Sequence, residues 1–194
     1  MSKARELANL RGTPTDHNIL LQSTAGDAIT AGSGTYNIAL GLNAFGAGTT
    51  GDYNIALGTT ALALATIGLN NIAIGKLAMQ GVTTGQADSN IAIGVNALAG
   101  AAGTTGNCNV AIGAASLQAL TTGANNVAMG TLAADALTSG ATNIAIGVNA
   151  LSALTIGLCN IAIGQAAMGG ITTNQVDGSI AIGNNALGGT SNTS

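Results

Sequence analysis

Asn143-Ile144-Ala145-Ile146-Gly147-Val148-Asn149-Ala150-Leu151 decides the fold, because the same phrase returns along most of the chain. Copies begin at Asn37, Asn54, Asn71, Asn90, Asn109, Asn126, Asn143, Asn160 and Ser179, spaced 17 or 19 residues apart. Every copy holds Ala at its third position and Gly at its fifth, and eight of nine hold Ala at the eighth, with Ser116 the exception. Helical repeats need about 30 residues or more per unit, so a period this short excludes a helix-turn unit. The phrase is β-branched around its Ala, which favours a strand. A strand, a Gly, a second short strand through Ala-Leu and a Thr-Gly turn give two strands per coil. Stacked in parallel, such coils predict an all-β parallel β-solenoid, or β-roll, of about ten 17–19-residue coils. At about 4.8 Å per coil the rod is roughly 50 Å long.

Working outward, each full copy ends near Thr-(Thr/Ser/Ile)-(Gly/Asn), as in Thr83-Thr84-Gly85 and Thr138-Ser139-Gly140. The extra two residues of the longer copies fall beside this turn, at Gln86-Ala87-Asp88-Ser89 and Gln175-Val176-Asp177-Gly178. Insertions confined to one place describe a fixed coil with one tolerant loop. The Thr rank (Thr66, Thr83, Thr121, Thr138, Thr155, Thr172) reads as turn-forming. A weaker copy, Asn18-Ile19-Leu20-Leu21-Gln22, precedes Asn37 by 19 residues without the invariant Ala and Gly. Terminal coils lack a neighbour on one side and are atypical for that reason. The chain thus divides into an N-terminal segment 1–17, a degenerate capping coil 18–36, repeats 37–187 and a polar C-terminal tip 188–194.

Alternation along the strand sets Ile on one face and Ala and Gly on the other. With apolar residues on both faces, a strand is expected to be covered on both. The reading assigns Ile to the coil interior. It assigns Ala39, Gly41, Ala56, Gly58, Ala73, Gly75, Ala92 and Gly94 to a face that packs against another subunit, most simply in a homotrimer around the long axis. The Asn column (Asn37, Asn54, Asn71, Asn90, Asn109, Asn126, Asn143, Asn160) is expected to form a ladder, bonding along the axis and to turn backbone.

Composition narrows the function. Apolar residues make up 47% of the chain, but only one Phe, two Tyr and no Trp are present, which suits a narrow core rather than a globular one. Four basic residues against seven acidic ones leave no basic stripe for nucleic acid. Gly, Thr and Asn break every apolar cluster well short of the about 18 residues that a transmembrane helix needs, so no membrane insertion is expected. No apolar h-region follows Lys3-Ala4-Arg5-Glu6, so a Sec signal is not read there and assembly in a cytoplasm is expected.

Chemistry-bearing residues are sparse. His17 is the only histidine and lies outside the repeats, so no triad or zinc site is expected. Asp52, Asp88, Asp135 and Asp177 lie in different coils, three of them in turns where Asp bonds its own backbone. No calcium nonapeptide or phosphate loop occurs; no metal, no cofactor and no catalysis are expected. Cys108 and Cys159 lie 51 residues apart, each just before a repeat Asn, hence in one column three coils apart. That separation, roughly 14 Å, is too long for a disulfide.

Lys3, Arg5 and Arg11 cluster near the start, and Ser2–Leu10 can form a short helix with Leu7 and Leu10 on one side. Lys3, Arg5, Leu7, Leu10 and Arg11 are therefore assigned to an anchor that docks the rod to a larger assembly.

The motif Asn-Ile-Ala-Ile-Gly-x-x-Ala-Leu resembles the head repeats of trimeric autotransporter adhesins. It is more similar still to repeats of bacteriophage tail-fibre and other virion-fibre proteins, over residues 37–187. Ser2-Lys3-Ala4-Arg5-Glu6-Leu7-Ala8 is also similar to the openings of some phage fibre proteins. The autotransporter class carries a signal peptide, coiled-coil stalk and membrane barrel that are not read here, and no self-cleaving chaperone domain is recognised. The resemblance implies a structural fibre of a virion, assembled in the host cytoplasm. Such a fibre is trimeric, held to other virion proteins by its N-terminus, and contributes to attachment to a host surface glycan or protein. The alternatives are a capsid or tail decoration or spacer protein without receptor binding, a non-viral adhesin head, and an ice-binding solenoid.

Overall fold

The computed structural model describes residues 10–11, 17–22, 24–29, 34–82, 87–100, 105–171 and 176–189. It is an all-β parallel solenoid, with no helix among the described residues. Each copy of the phrase contributes one three-residue strand, and the two-residue strands Leu10–Arg11, Gly157–Leu158 and Val176–Asp177 lie outside the phrase. In chain order the strands are β1 (Leu10–Arg11), β2 (Ile19–Leu21), β3 (Ile38–Leu40), β4 (Ile55–Leu57), β5 (Ile72–Ile74), β6 (Ile91–Ile93) and β7 (Val110–Ile112). There follow β8 (Val127–Met129), β9 (Ile144–Ile146), β10 (Gly157–Leu158), β11 (Ile161–Ile163), β12 (Val176–Asp177) and β13 (Ile180–Ile182). One sheet of eleven strands runs β1-β2-β3-β4-β5-β6-β7-β8-β9-β11-β13, while β10 and β12 pair by themselves. From β2 onward the sheet is parallel and in register: Leu20 meets Ala39, and from β3 on Ala meets Ala and the aliphatics flanking it meet their counterparts. A 17- or 19-residue period forces this register, because each coil returns to the same phase of the same phrase.

The two faces of the strand are the reverse of the sequence reading. Ala39, Ala56, Ala73 and Ala92, assigned above to subunit packing, are completely buried inside the coil of their own chain. The Ile, Leu, Val and Met residues on either side of each Ala point outward and are half-buried or exposed. The reason is the width of the coil. Its interior is already filled from the opposite wall by Leu62, Met79, Leu98, Leu117, Leu120, Leu151 and Leu154, which share one buried cluster with the strand alanines. From β3 onward only a methyl group fits on the strand side; in the end coil Leu20 takes this place, against Gly26 where most later coils carry a large side chain. Filling is balanced within coils: in the coil where Phe45 occupies the ninth position, the twelfth is Gly48, whose Cβ would run into the Phe45 ring.

The expected second strand is also absent from the Ala-Leu segment, which folds as two consecutive turns. Ala44 N–H donates to Gly41 O (3.1 Å), and Gly48 N–H donates to Phe45 O (3.2 Å), a pattern that recurs in later coils. Left-handed residues shape these turns: the seventh position has φ of 56° at Asn43 and 55° at Thr60, the ninth 49° at Phe45 and 51° at Leu62. Such φ values are incompatible with a regular strand. Backbone bonds still run from coil to coil here, as in Phe45 N–H to Ala61 O (2.9 Å) and Leu62 N–H to Ala78 O (2.9 Å).

Gly41, Gly58, Gly75 and Gly94 do not form a subunit face either. They turn the corner after each strand with φ between +132° and +139°. A Cβ on any of them would lie 2.5–2.7 Å from the carbonyl oxygen of the glycine in the next coil. Both the dihedral and the close stacking exclude every other residue.

At the N-terminal end, β1 pairs antiparallel with β2, Leu10 opposite Leu21 and Arg11 opposite Leu20. Leu10, expected to end a short helix, is instead in a strand; residues 1–9, with Lys3, Arg5 and Leu7 of the assigned anchor, lie outside the described residues.

Candidate functional site

Two regular features dominate the molecule, one inside the coil and one outside. Inside runs the asparagine ladder. Each Asn opens a strand segment and turns its amide into the coil, where water cannot serve it, so protein groups must. Asn109 shows one full rung. Its Nδ2 donates to Asn90 Oδ1 (3.2 Å) and to the turn carbonyl of Gly123 (3.0 Å). Its Oδ1 accepts from the backbone N–H (2.9 Å) and Nδ2 (3.1 Å) of Asn126. The ladder starts at Asn18, whose Oδ1 accepts the Asn37 N–H (2.7 Å). It ends where Ser179 replaces Asn and donates its N–H to Asn160 Oδ1 (3.0 Å). Each Asn thereby ties its own turn to its own strand and both to the coil before. With every amide group engaged in its neighbours, the row offers nothing to a ligand and is a structural device.

The Thr rank behaves likewise. Thr49, Thr121 and Thr138 each donate Oγ1 to the carbonyl of the Thr one coil on (3.0 Å). The acceptor carbonyls are those of Thr66, Thr138 and Thr155; Thr83 and Thr172 lie outside the described residues. With these hydroxyls turned into the stack, a flat two-column Thr array of the kind that matches ice is not formed by this rank.

Three of the carboxylates bond between coils. Asp52 Oδ1 accepts from Thr35 N–H (2.6 Å), Asp88 Oδ1 from Leu69 N–H (2.8 Å) and Asp177 Oδ1 from Leu158 N–H (2.8 Å). Counted so that the two extra residues of the 19-residue coils are left out, all three sit at the sixteenth position, two before the Asn or Ser that opens the next coil, and cap the same position one coil back. Asp135 differs: its Oδ1 is buried without a partner, and burial raises its carboxyl above the ordinary range. Among the described residues, no three His, Cys, Asp or Glu side chains gather as metal ligands.

Outside, the second and fourth positions of every strand build two parallel columns of aliphatic side chains along the sheet. Ile38, Ile55, Ile72 and Val110 belong to one, and Ile74, Ile93, Met129 and Ile146 to the other. Extending over the whole rod, this strip is far longer than the scattered apolar residues that a monomer's surface ordinarily shows. It is the one broad surface in the described residues that is both regular and apolar.

The column just before each Asn, at position seventeen, faces outward as well. At its start the rings of His17, Tyr36 and Tyr53 stack with centroids 4.8 and 5.0 Å apart and planes within 8° and 2°. Further along, Cys108 and Cys159 are free and exposed. The aromatic stack escaped the sequence reading, although its signal was present: all three residues immediately precede an Asn of the repeat, the phase the cysteines share.

Compared with known protein families, with characterised proteins and with solved structures, the chain matches none.

Proposed function

We propose that this protein is a self-associating structural rod, in which copies lie side by side and bury their outer aliphatic columns against one another, most simply as a homotrimer. The observation that carries this reading is the double column of half-exposed Ile, Leu, Val and Met along the sheet. Burying apolar surface contributes about 25 cal/mol per Å², so a strip of this length strongly favours association. The partner face is thus the aliphatic one, in place of the Ala/Gly face first assigned.

The setting we propose for the rod is the virion fibre of a bacteriophage, held to other virion proteins through residues 1–17 and contributing to attachment at the host surface. Its support is the resemblance of the Asn-Ile-Ala-Ile-Gly phrase to fibre repeats. Light scattering on the purified chain tests the association: a mass of three chains is expected, and a single-chain mass overturns it. For the setting, deletion of residues 1–17 is expected to abolish incorporation into particles while the free rod still associates. Incorporation unchanged by the deletion would refute the anchor. Purified rod is expected to bind host cells, and failure to bind while still present on particles would make it a decoration protein.

A further inference from the structure

The edges of the outer face carry a second pattern. Position six forms one edge and position seventeen the other, and the strand between them keeps the two columns roughly 15–20 Å apart within a chain. Side chains on the two edges therefore do not meet inside one rod. Yet they vary together. In the eight coils starting at Asn37 through Asn160, a large aliphatic residue occupies position six in three: Leu42, Val95 and Val148. Those are the three coils with Tyr53, Cys108 and Cys159 at position seventeen, the column's tyrosine and cysteines among these eight. Leu42, Val95, Val148 and Tyr53 are all 46–56% exposed, more than their apolar character favours. One charge pair lies across the same two edges: Lys76, the only Lys or Arg after Arg11, holds position six of the coil that carries Asp88, while the coils of Asp52 and Asp177 hold Leu42 and Gln165 there.

Resting on the self-association proposed above, we infer that neighbouring copies run parallel and in register, so that position six of each coil meets positions sixteen and seventeen of the same coil in the next copy. Rotation about an axis along the rods brings unlike edges together at every seam, whatever the number of copies. The chain climbs about 4.8 Å per coil, so position seventeen stands roughly 3 Å above position six of its own coil, within the reach of Leu, Tyr and Lys side chains. Leu42 then covers Tyr53, Val95 and Val148 cover Cys108 and Cys159, and Lys76 faces the Asp88 carboxylate. An antiparallel pair of rods would match coils from opposite ends and leave Lys76 far from Asp88.

Crosslinking in the full chain tests this seam. In a Cys159→Ala background, Val95→Cys and Ala114→Cys are each paired with native Cys108 and treated with a short bis-maleimide. Both sites are exposed, and neither substitution touches the coil interior. Val95→Cys is expected to give covalent multimers on a denaturing gel, up to the full ring, and to lose them when Cys108→Ala is added. Ala114→Cys is expected to give none. Crosslinking by Ala114→Cys in place of Val95→Cys would overturn the register, shifting the seam by one coil. No crosslink from either, in a sample whose light-scattering mass is multimeric, would overturn the parallel seam while leaving self-association standing. A single-chain mass would overturn both.

Discussion

The inner and outer faces of one three-residue strand obey different physics. Ala111 on β7 is completely buried and stacks on Ala92 and Ala128, whereas Val110 and Ile112 beside it are partly exposed. The inner face is closed by its own chain: alanines, the leucines opposite and the asparagine ladder fill it, and the ladder amides are bonded to one another and to the turns. The outer face is regular but unfilled. A substitution inside therefore acts on folding, while one outside acts on association.

The sharpest break of the inner side is Asn109→Ala. It leaves the Asn126 N–H without its acceptor, Asn126 Nδ2 with only the Gly140 carbonyl, and the Gly123 carbonyl without its donor. Stranded buried groups cost about 1–3 kcal/mol each, so a loss of about 3–5 kcal/mol is expected in urea denaturation. Ala111→Ile ranks next. Placing an Ile where only a methyl fits is expected to cost about 3 kcal/mol by overpacking, read as a lower thermal midpoint. If Ala111→Ile were tolerated while Ile112→Ala unfolded the chain, the assignment of faces would be wrong.

On the outer side, Ile112→Ser together with Ile146→Ser is expected to change the folding of a single rod by less than about 1 kcal/mol. The same pair is expected to lower the light-scattering mass to that of one chain. Unchanged mass would place the association elsewhere. Turn positions on the outer surface have room for improvement that the interior lacks. Thr60 is β-branched yet sits at φ 55°, where Asn43 occupies the corresponding place one coil back. Thr60→Asn is expected to raise stability by about 0.5–1 kcal/mol, because Asn tolerates the left-handed region better.

The smallest effect belongs to Asp135. Its carboxyl is raised by burial, so the folded state holds the proton at a higher pH than the unfolded chain does. The destabilisation is therefore present above the folded pKa and vanishes below the unfolded value, about 3.9. Asp135→Ala, matching Ala63 and Ala99 in the same column, is expected to raise the thermal midpoint slightly at neutral pH. The gain should disappear as pH falls into the carboxylate range; a gain independent of pH would trace to packing instead.

The period, the in-register parallel stack and the positions free to vary were all readable from the repeated phrase, since a coil that returns to phase every 17 or 19 residues admits one register. The invariance of glycine at the fifth position was readable too, but its role was not: read as part of a subunit face, it turns the corner after the strand. The turns through Ala44-Phe45 and Ala61-Leu62 were not readable. Their left-handed residues include Phe, Leu and Thr, which carry no local signal for that conformation, and stacked neighbours hold them in it. The aromatic stack of His17, Tyr36 and Tyr53 was legible only once the phase of each residue in the coil was tracked.

By itself, then, the sequence determined a solenoid whose strands have one Ala face and one aliphatic face, because alternation is a property of the extended chain. Which face lies inside was decided by tertiary structure alone. The distance between the strand and the wall opposite is set by leucines, turns and asparagines up to sixteen residues away in the coil, and in the repeats from Asn37 on that distance admits a methyl group on the strand side and nothing larger.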